Sequence, residues 1–381
     1  MKHIFDHTRE SLKAALKDVG MPAFRADQIW QWVYKKGGID PAEMTNLSKA
    51  DAQKLLSVLD FSMPEIVAEQ KATDGVIKWL LKLHDGQEVE MVFIPQGKRG
   101  TLCVSSQVGC TLTCRFCHTG TQALARNLTA ADIVTQVWIA KAQMADFTPD
   151  DTARRLTNIV FMGMGEPLYN KDNVFNACHT LMDEKGFGMG GRKITISTSG
   201  VVPHIPAIGE ELGTNLAISL HSADDATRTK IMPLNKKYPL AELKKAVDNF
   251  KLREHRRITW EYVMLKGVND SKEDADKLIE FIKPYPSLVN LIPFNPWPGS
   301  PFECSDDETM RAFRNRISAA GIDVTLRQTR GEDILAACGQ LRSETSGRNT
   351  VSLQYPTVVA VYGNEKQKER ASGTPVKVEI E

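Results

Sequence analysis

The run Cys110-Thr-Leu-Thr-Cys114-Arg-Phe-Cys117-His118 gathers three thiols and an imidazole within nine residues. Such a set admits a Cys3His zinc site. Cys114-Arg-Phe-Cys117-His118 also has the C-x-x-C-H spacing of covalent haem attachment, and Cys114 with Cys117 that of a redox pair. The haem reading requires export, whereas residues 1–20 carry acids and histidines where a signal peptide has an unbroken apolar run. The redox reading leaves Cys110 unexplained. A [4Fe–4S] cluster held by three thiolates is the fourth reading, and it leaves one iron open to a ligand from outside the protein.

The elements that would position these thiols follow an alternating rhythm. From Arg99 onward, β-like runs at 101–107, 158–162, 193–199, 215–220, 258–265 and 289–293 alternate with helical segments at 129–145, 172–184, 204–211, 240–253 and 272–283, and a helix over 306–319 follows the last. Six strand–helix units predict a parallel sheet, closed or partly closed as a barrel. Five of the six strands then end on polar or glycine residues: the cysteine loop, Gly163-Met-Gly165-Glu166-Pro167, Ser197-Thr-Ser199-Gly200, Ser219-Leu220-His221-Ser222 and Phe294-Asn295-Pro296. Polar ends that all face one way are what a site at the carboxyl mouth of such a sheet requires.

Upstream, residues 1–60 read as short helices started by Thr8 or Ser11, by Asp40-Pro41 and by Ser48-x-x-Asp51, and 61–97 as an antiparallel meander punctuated by Asp74-Gly75 and Asp85-Gly86. The barrel is expected over 98–345, and a Lys/Glu-rich extension and tail over 346–381.

At 381 residues the chain has room for roughly two to three domains. Its 48 basic and 47 acidic residues nearly cancel, so any polyanionic partner must be met by segregated charge. Acid-free runs at 91–131, 185–209 and 226–241 carry Lys98, Arg99, Arg115, Arg126, Lys185, Arg192, Lys193, Arg228, Lys230, Lys236 and Lys237. They flank the mouth loops and predict an electropositive rim suited to RNA. Arg25, Lys35 and Lys36 extend that expectation to the N-terminal helices, whose removal should weaken RNA binding and spare the site. No run approaches the ~20 apolar residues of a membrane span. A cytoplasmic location is expected, and the seven cysteines are read as reduced thiols or ligands.

The C-x3-C-x2-C spacing after a first strand resembles the radical S-adenosylmethionine (SAM) superfamily. Together, Gly109-Cys110-x3-Cys114-x2-Cys117-His118-Thr-Gly, Gly163-Met-Gly-Glu-Pro167, Ile194-Thr-Ile-Ser-Thr-Ser199, Leu291-Ile-Pro-Phe-Asn-Pro296 and Arg330-Gly-Glu-Asp-Ile-Leu-Ala-Ala-Cys338-Gly-Gln resemble the RlmN family along nearly the whole chain. That resemblance implies an α/β fold, a partial (β/α)6 radical-SAM barrel with an N-terminal helical accessory domain and a small β meander. It implies methylation of adenine C2 in 23S ribosomal RNA and in transfer RNA, at the adenosine 3′ of the anticodon. The C8-methylating Cfr family is the near rival, and a non-catalytic iron–sulfur or zinc RNA-binding protein the reading from another class.

The resemblance also implies residue roles. Cys110, Cys114 and Cys117 would hold the [4Fe–4S] cluster; Gly165, Glu166, Ser197, Ser219, Leu220, His221 and Asn295 would hold SAM. Cys338 would be methylated by one SAM. A second SAM, cleaved by one electron, would give a 5′-deoxyadenosyl radical that takes hydrogen from the new methyl group, and the resulting carbon radical would add to the base. Cys103 would resolve the protein–RNA adduct, ending as a disulfide with Cys338, and Glu90 would accept the proton. A flavodoxin-type electron donor and a monomeric enzyme are implied as well. His118 is expected not to bind the open iron, since it would compete with SAM. Cys178 and Cys304 receive no role, and Glu88 and Glu90 read by alternation as an exposed pair on one strand face.

Overall fold

The computed structural model describes residues 1–148 and 152–342. Three helices open the chain, α1 (Arg9–Asp18), α2 (Phe24–Lys35) and α3 (Lys49–Val58). Thr8 caps α1 in a reciprocal pair with Ser11, and Ser48 caps α3 through the Asp51 amide. Each such cap fills an otherwise orphaned amide and contributes about 1 kcal/mol.

Apart from two short two-stranded pairings, Lys2–His3 with Leu59–Asp60 and Gln107–Val108 with Arg126–Asn127, the described strands form one ten-stranded sheet whose spatial order follows the chain without a swap. Strands β1 (Glu65–Lys71), β2 (Ile77–Lys82), β3 (Glu88–Gln96) and β4 (Arg99–Cys103) run antiparallel. Gly75 and Gly86 turn at φ 85° and 80° between the first three, a region open to glycine at no steric cost. From β4 the sheet becomes parallel through β5 (Leu156–Phe161), β6 (Ile194–Thr198), β7 (Asn215–Ser219), β8 (Ile258–Met264), β9 (Ser287–Pro293) and β10 (Asp323–Leu326). The α/β radical-SAM fold expected from sequence is therefore present, with the meander continuous with the barrel sheet rather than apart from it.

Helices α4 (Ala130–Gln143), α5 (Lys171–Met182), α6 (Asp225–Ile231), α7 (Leu240–Asp248), α8 (Lys272–Ile282) and α9 (Asp307–Ala319) lie between or after the parallel strands. Three differences from the sequence reading stand out. The helix expected at 204–211 is a three-residue helix continued by a wider π turn ending at Gly213, φ 61°. The helix expected to reach 253 stops at Asp248. Strands β1 and β10 and helix α6 were not expected; β1 and β10 are the two edges of the sheet, β1 mostly exposed and β10 only four residues long.

One apolar core runs from Ile4 through Trp30 and Tyr34 to Leu291 and Ile317, so the N-terminal helices share it with the barrel. Among the described residues no helix is long and apolar enough to cross a membrane. The extension expected at 346–381 lies outside the described residues.

Candidate active site

All parallel strands deliver their carboxyl ends to one mouth, and the loops that leave them build the site. After β4, Ser105, Ser106 and Gln107 are buried and hold the next strand's exit turn. The Ser105 hydroxyl accepts from the Met164 amide at 2.9 Å and donates to the Glu90 carbonyl at 2.6 Å. The Gln107 carbonyl oxygen accepts from the amides of Glu166 and Thr111, at 3.0 and 3.2 Å, tying the Gly163–Pro167 turn to the cysteine loop. Gly165 sits at φ 97°, and a Cβ there would lie 2.8 Å from the Gln107 amide nitrogen. Only glycine permits that approach.

A mouth cavity is bordered by Cys110, Cys114 and Cys117 on one side and by Gly165, Glu166, Ser197, Ser219 and His221 on the other. Leu220 does not line it; its carbonyl accepts from the buried Arg228 guanidinium at 3.0 Å. Arg228 also donates to the Ser199 carbonyl at 2.6 Å and to Asn235 at 2.8 Å, so one cation fixes the ends of β6 and β7. His221 is left-handed, φ 57°, and its Nδ1 accepts from the Val263 amide at 3.0 Å. Burial pushes this imidazole down to about 3, so the ring is neutral with its proton on Nε2. Glu166 spends both carboxylate oxygens on amides, Leu168 at 3.1 Å and Ser199 at 2.8 Å, while burial raises its pKa.

A second, smaller cavity adjoins the first, lined by Cys103, Asn295, Thr329 and Ala337 among others. Cys338, Arg327, Met162, Ile292 and Gly339 border both cavities. Cys338 thus occupies the wall between the three cysteines and Cys103. Asn295 is a scaffold for that wall: its amide donates to the Cys338 carbonyl at 3.1 Å and its oxygen accepts from Thr329. Cys103 and Cys338 are both free thiols in this structure. Burial pushes the Cys103 thiol up to about 12, opposed by the Arg327 guanidinium.

Glu90 overturns the expectation of an exposed pair. It is 5% exposed, and it lines neither cavity. Its carboxylate pairs with Lys78 at 2.9 Å and accepts from the Arg342 amide at 2.7 Å. The face of β3 that alternation assigns to solvent is covered by the Cys338 segment. Burial raises the Glu90 pKa, against the pull of Lys78.

His118 faces away from a metal role. Its ring stacks on Trp297 at 4.8 Å, Nε2 accepts from Arg342 at 3.1 Å and Nδ1 lies 3.3 Å from the Gln340 carbonyl. Cys178 is buried in α5 and Cys304 lies in a bridge to Leu265, both away from the cavities.

The three loop cysteines border one cavity and interact electrostatically. A cubane asks each thiol to meet a different iron, which suits thiols spread around a cavity. Burial raises all three thiol pKa values, a cost that coordination to iron offsets because a metal deprotonates its thiol ligands outright.

The rim is less basic than the sequence suggested. Arg126 pairs with Asp85 and with Asp132, Arg228 is buried, and Arg99 and Lys193 stand at the starts of strands, opposite the mouth. Lys230, Lys236 and Lys237 are exposed beyond the end of β7. Arg25, offered as RNA-binding surface, is instead tied to Asp51 and the Asn46 carbonyl.

Sequence reading passed over Glu261 and Arg327, which both line the mouth cavity. Glu261 is buried on β8 and accepts from Asn290 at 2.9 Å. An acid inside the apolar run Ile258–Met264 was the available signal, since buried parallel strands read as near-continuous apolar runs. Arg327 has no comparable signature.

Comparisons with known proteins agree with this geometry. Residues 104–282 match the model of the radical SAM superfamily, and residues 2–60 that of the ribosomal RNA large subunit methyltransferase N-terminal domain. A dual-specificity RNA methyltransferase RlmN of Parvibaculum lavamentivorans is 54% identical over 358 residues, 90% of each chain. The one from Rhodospirillum rubrum is 54% identical over 340 residues, covering 89% of this chain and 79% of that protein. The crystal structure of a radical SAM methyltransferase from Sphaerobacter thermophilus superposes with a TM-score of 0.83 at 40% identity, over 90% of this chain and 99% of that one.

Proposed function

Because this chain belongs to the RlmN family of radical SAM RNA methyltransferases, whose cofactors are a [4Fe–4S] cluster and SAM, we propose that it methylates C2 of adenosine in 23S ribosomal RNA and in transfer RNA. One observation carries the reading: Cys338 borders the cavity of Cys110, Cys114 and Cys117 and also the cavity of Cys103. A methyl carrier between a radical source and a resolving thiol needs that position.

When bound, the cluster and SAM supply a radical able to take hydrogen from a methyl group. Cys110, Cys114 and Cys117 are the cluster's ligands in this reading, and Gly165, Glu166, Ser197, Ser219 and His221 surround SAM. Leu220 and Asn295 act behind that surface, through Arg228 and through the Cys338 carbonyl. The Cys338 thiolate takes a methyl group from SAM by displacement, and S-adenosylhomocysteine leaves. Once the methylene carbon is joined to C2 of the base, Cys103 attacks the Cys338 sulfur. The sulfur–carbon bond breaks, the carbon takes a proton to become the methyl group, and the two thiols end as a disulfide that an external reductant reopens. Arg327, which borders both cavities, favours the Cys103 anion against its burial. Joining the methylene carbon to C2 leaves one unpaired electron and the C2 proton to be removed. The electron would return to the one-electron couple that cleaved SAM. Glu90 accepts the proton in this scheme, which requires the Arg342 end of the carrier segment to lift from its carboxylate. The base must leave any stack to reach Cys338, so the substrate is a looped or splayed adenosine.

Cys338→Ala tests the scheme. Under anaerobic reducing conditions the variant should still cleave SAM and give no methylated RNA; full methylation would overturn the carrier role. Mass spectrometry of nucleosides from RNA treated with the wild-type chain should find 2-methyladenosine, and 8-methyladenosine would move the chain to the Cfr-type reaction.

A further inference from the structure

The segment that carries Cys338 is held at both ends by one buried ion pair. Lys78 on β2 and Glu90 on β3 meet at 2.9 Å, with side chains 11% and 6% exposed. Lys78 also reaches the Leu335 carbonyl at 3.3 Å, three residues before Cys338. Glu90 accepts from the Arg342 amide, four residues after it. Leu335 is itself left-handed, φ 51°, a conformation that costs a branched residue energy and persists only where its surroundings enforce it. Other contacts define the rest of the path. Asp74 holds Arg330 and the Gly331 amide, and the cysteine loop holds the far side through His118 N–H to the Gly339 carbonyl at 2.7 Å and Thr119 to the Leu341 carbonyl.

A buried lysine and carboxylate contribute little net stability compared with apolar residues of equal volume. Their value here is geometric: each also bonds the backbone of the same segment. We propose that Lys78 is a positioning residue for the carrier cysteine, acting with Glu90 as a latch that closes Leu335–Arg342 over the wall between the two cavities. The proposal rests on the carrier role of Cys338 assigned above. It gives the meander a task in the reaction, since β2 and β3 supply the latch.

The test uses the full chain, with and without reconstituted cluster, and follows amide hydrogen exchange by mass spectrometry. Removing Lys78 alone strands a buried carboxylate, so the informative variant is Lys78→Met with Glu90→Gln, which leaves no buried charge. Exchange in peptides spanning 331–342 should rise at least tenfold, while peptides from β5 to β9 stay at wild-type rates. Lys78→Arg should restore most of the protection. Arg342→Pro, which deletes the amide donor and leaves the pair intact, should loosen the same peptides; Arg342→Ala, which keeps the amide, should do so less. SAM-dependent methylation of Cys338, a step that needs no proton acceptor on the base, should slow at least tenfold in the double variant. Unchanged exchange over 331–342, or a rise spread over the whole chain, overturns the latch. Absence of methyl-Cys338 in the wild-type chain would instead overturn the carrier reading, and the exchange result would stand apart from it.

Discussion

His118 illustrates how one side chain's chemistry is decided by what surrounds it. Its sequence position beside Cys117 makes it a metal ligand on paper, yet its two nitrogens meet Arg342 and a carbonyl, and its ring lies flat on Trp297. His118→Ala should therefore keep cluster iron near the wild-type content, whereas Cys117→Ala should lose it, as read by iron and sulfide analysis of anaerobically reconstituted protein. Equal iron loss in both would make His118 a ligand. Removing the stacked ring should cost about 1 kcal/mol of stability. At this scale the cysteine loop was legible because ligand spacing is local. Glu90 was not. Alternation along β3 assigns faces correctly, but which face is covered depends on a segment some 250 residues later, and no local pattern carries that information. Arg327 was illegible for the same reason.

At the scale of elements, the polar strand ends were the readable feature, and the turn after β5 shows why they had to be so. Gly165 lets the chain turn at φ 97° while its backbone passes Gln107 too closely for a side chain. Gly165→Ala must pay for both the left-handed backbone and the displaced glutamine, and Gln107 is what ties this turn to the cysteine loop. The expected result is at least a tenfold weaker SAM affinity in the cluster-loaded protein, measured by equilibrium binding, with the fold retained by circular dichroism. Wild-type affinity would mean that the turn plays no part in shaping the SAM site. Strand and helix positions in the barrel were legible because apolar and β-branched runs alternate with helical segments; the structure adds a reciprocal cap of Thr129 with Asp132 where α4 starts. The edge strand β1 escaped because its mostly exposed residues impose no period of two; β10, Asp323-Val-Thr-Leu326, does alternate, but over four residues only.

Across the whole molecule, the N-terminal helices are bound to the barrel more tightly than a detachable RNA-binding module would be. Asp6 accepts from the Ala131 amide at 2.8 Å, placing a carboxylate at the start of α4, where a negative charge favours the helix. Trp138 of α4 donates to the Val33 carbonyl, Arg9 pairs with Asp183 at 2.7 Å, and Tyr34 packs edge-on against Phe187 at 5.1 Å. Deleting residues 1–60 would expose that seam, and each large side chain returned to water costs about 2 kcal/mol. The truncated chain should lose more than about 10 °C in melting temperature or become insoluble, and it should assemble less cluster, because α4 also holds the Ser105 amide through Gln136. A truncated chain that melts like the full one and carries full iron would show that the seam is dispensable and return the module to a purely RNA-binding part. Contact with RNA is better tested in the intact protein, where Lys35→Glu with Lys36→Glu, on exposed positions of the same helices, should weaken RNA binding and flatten its salt dependence while leaving the melting temperature unchanged.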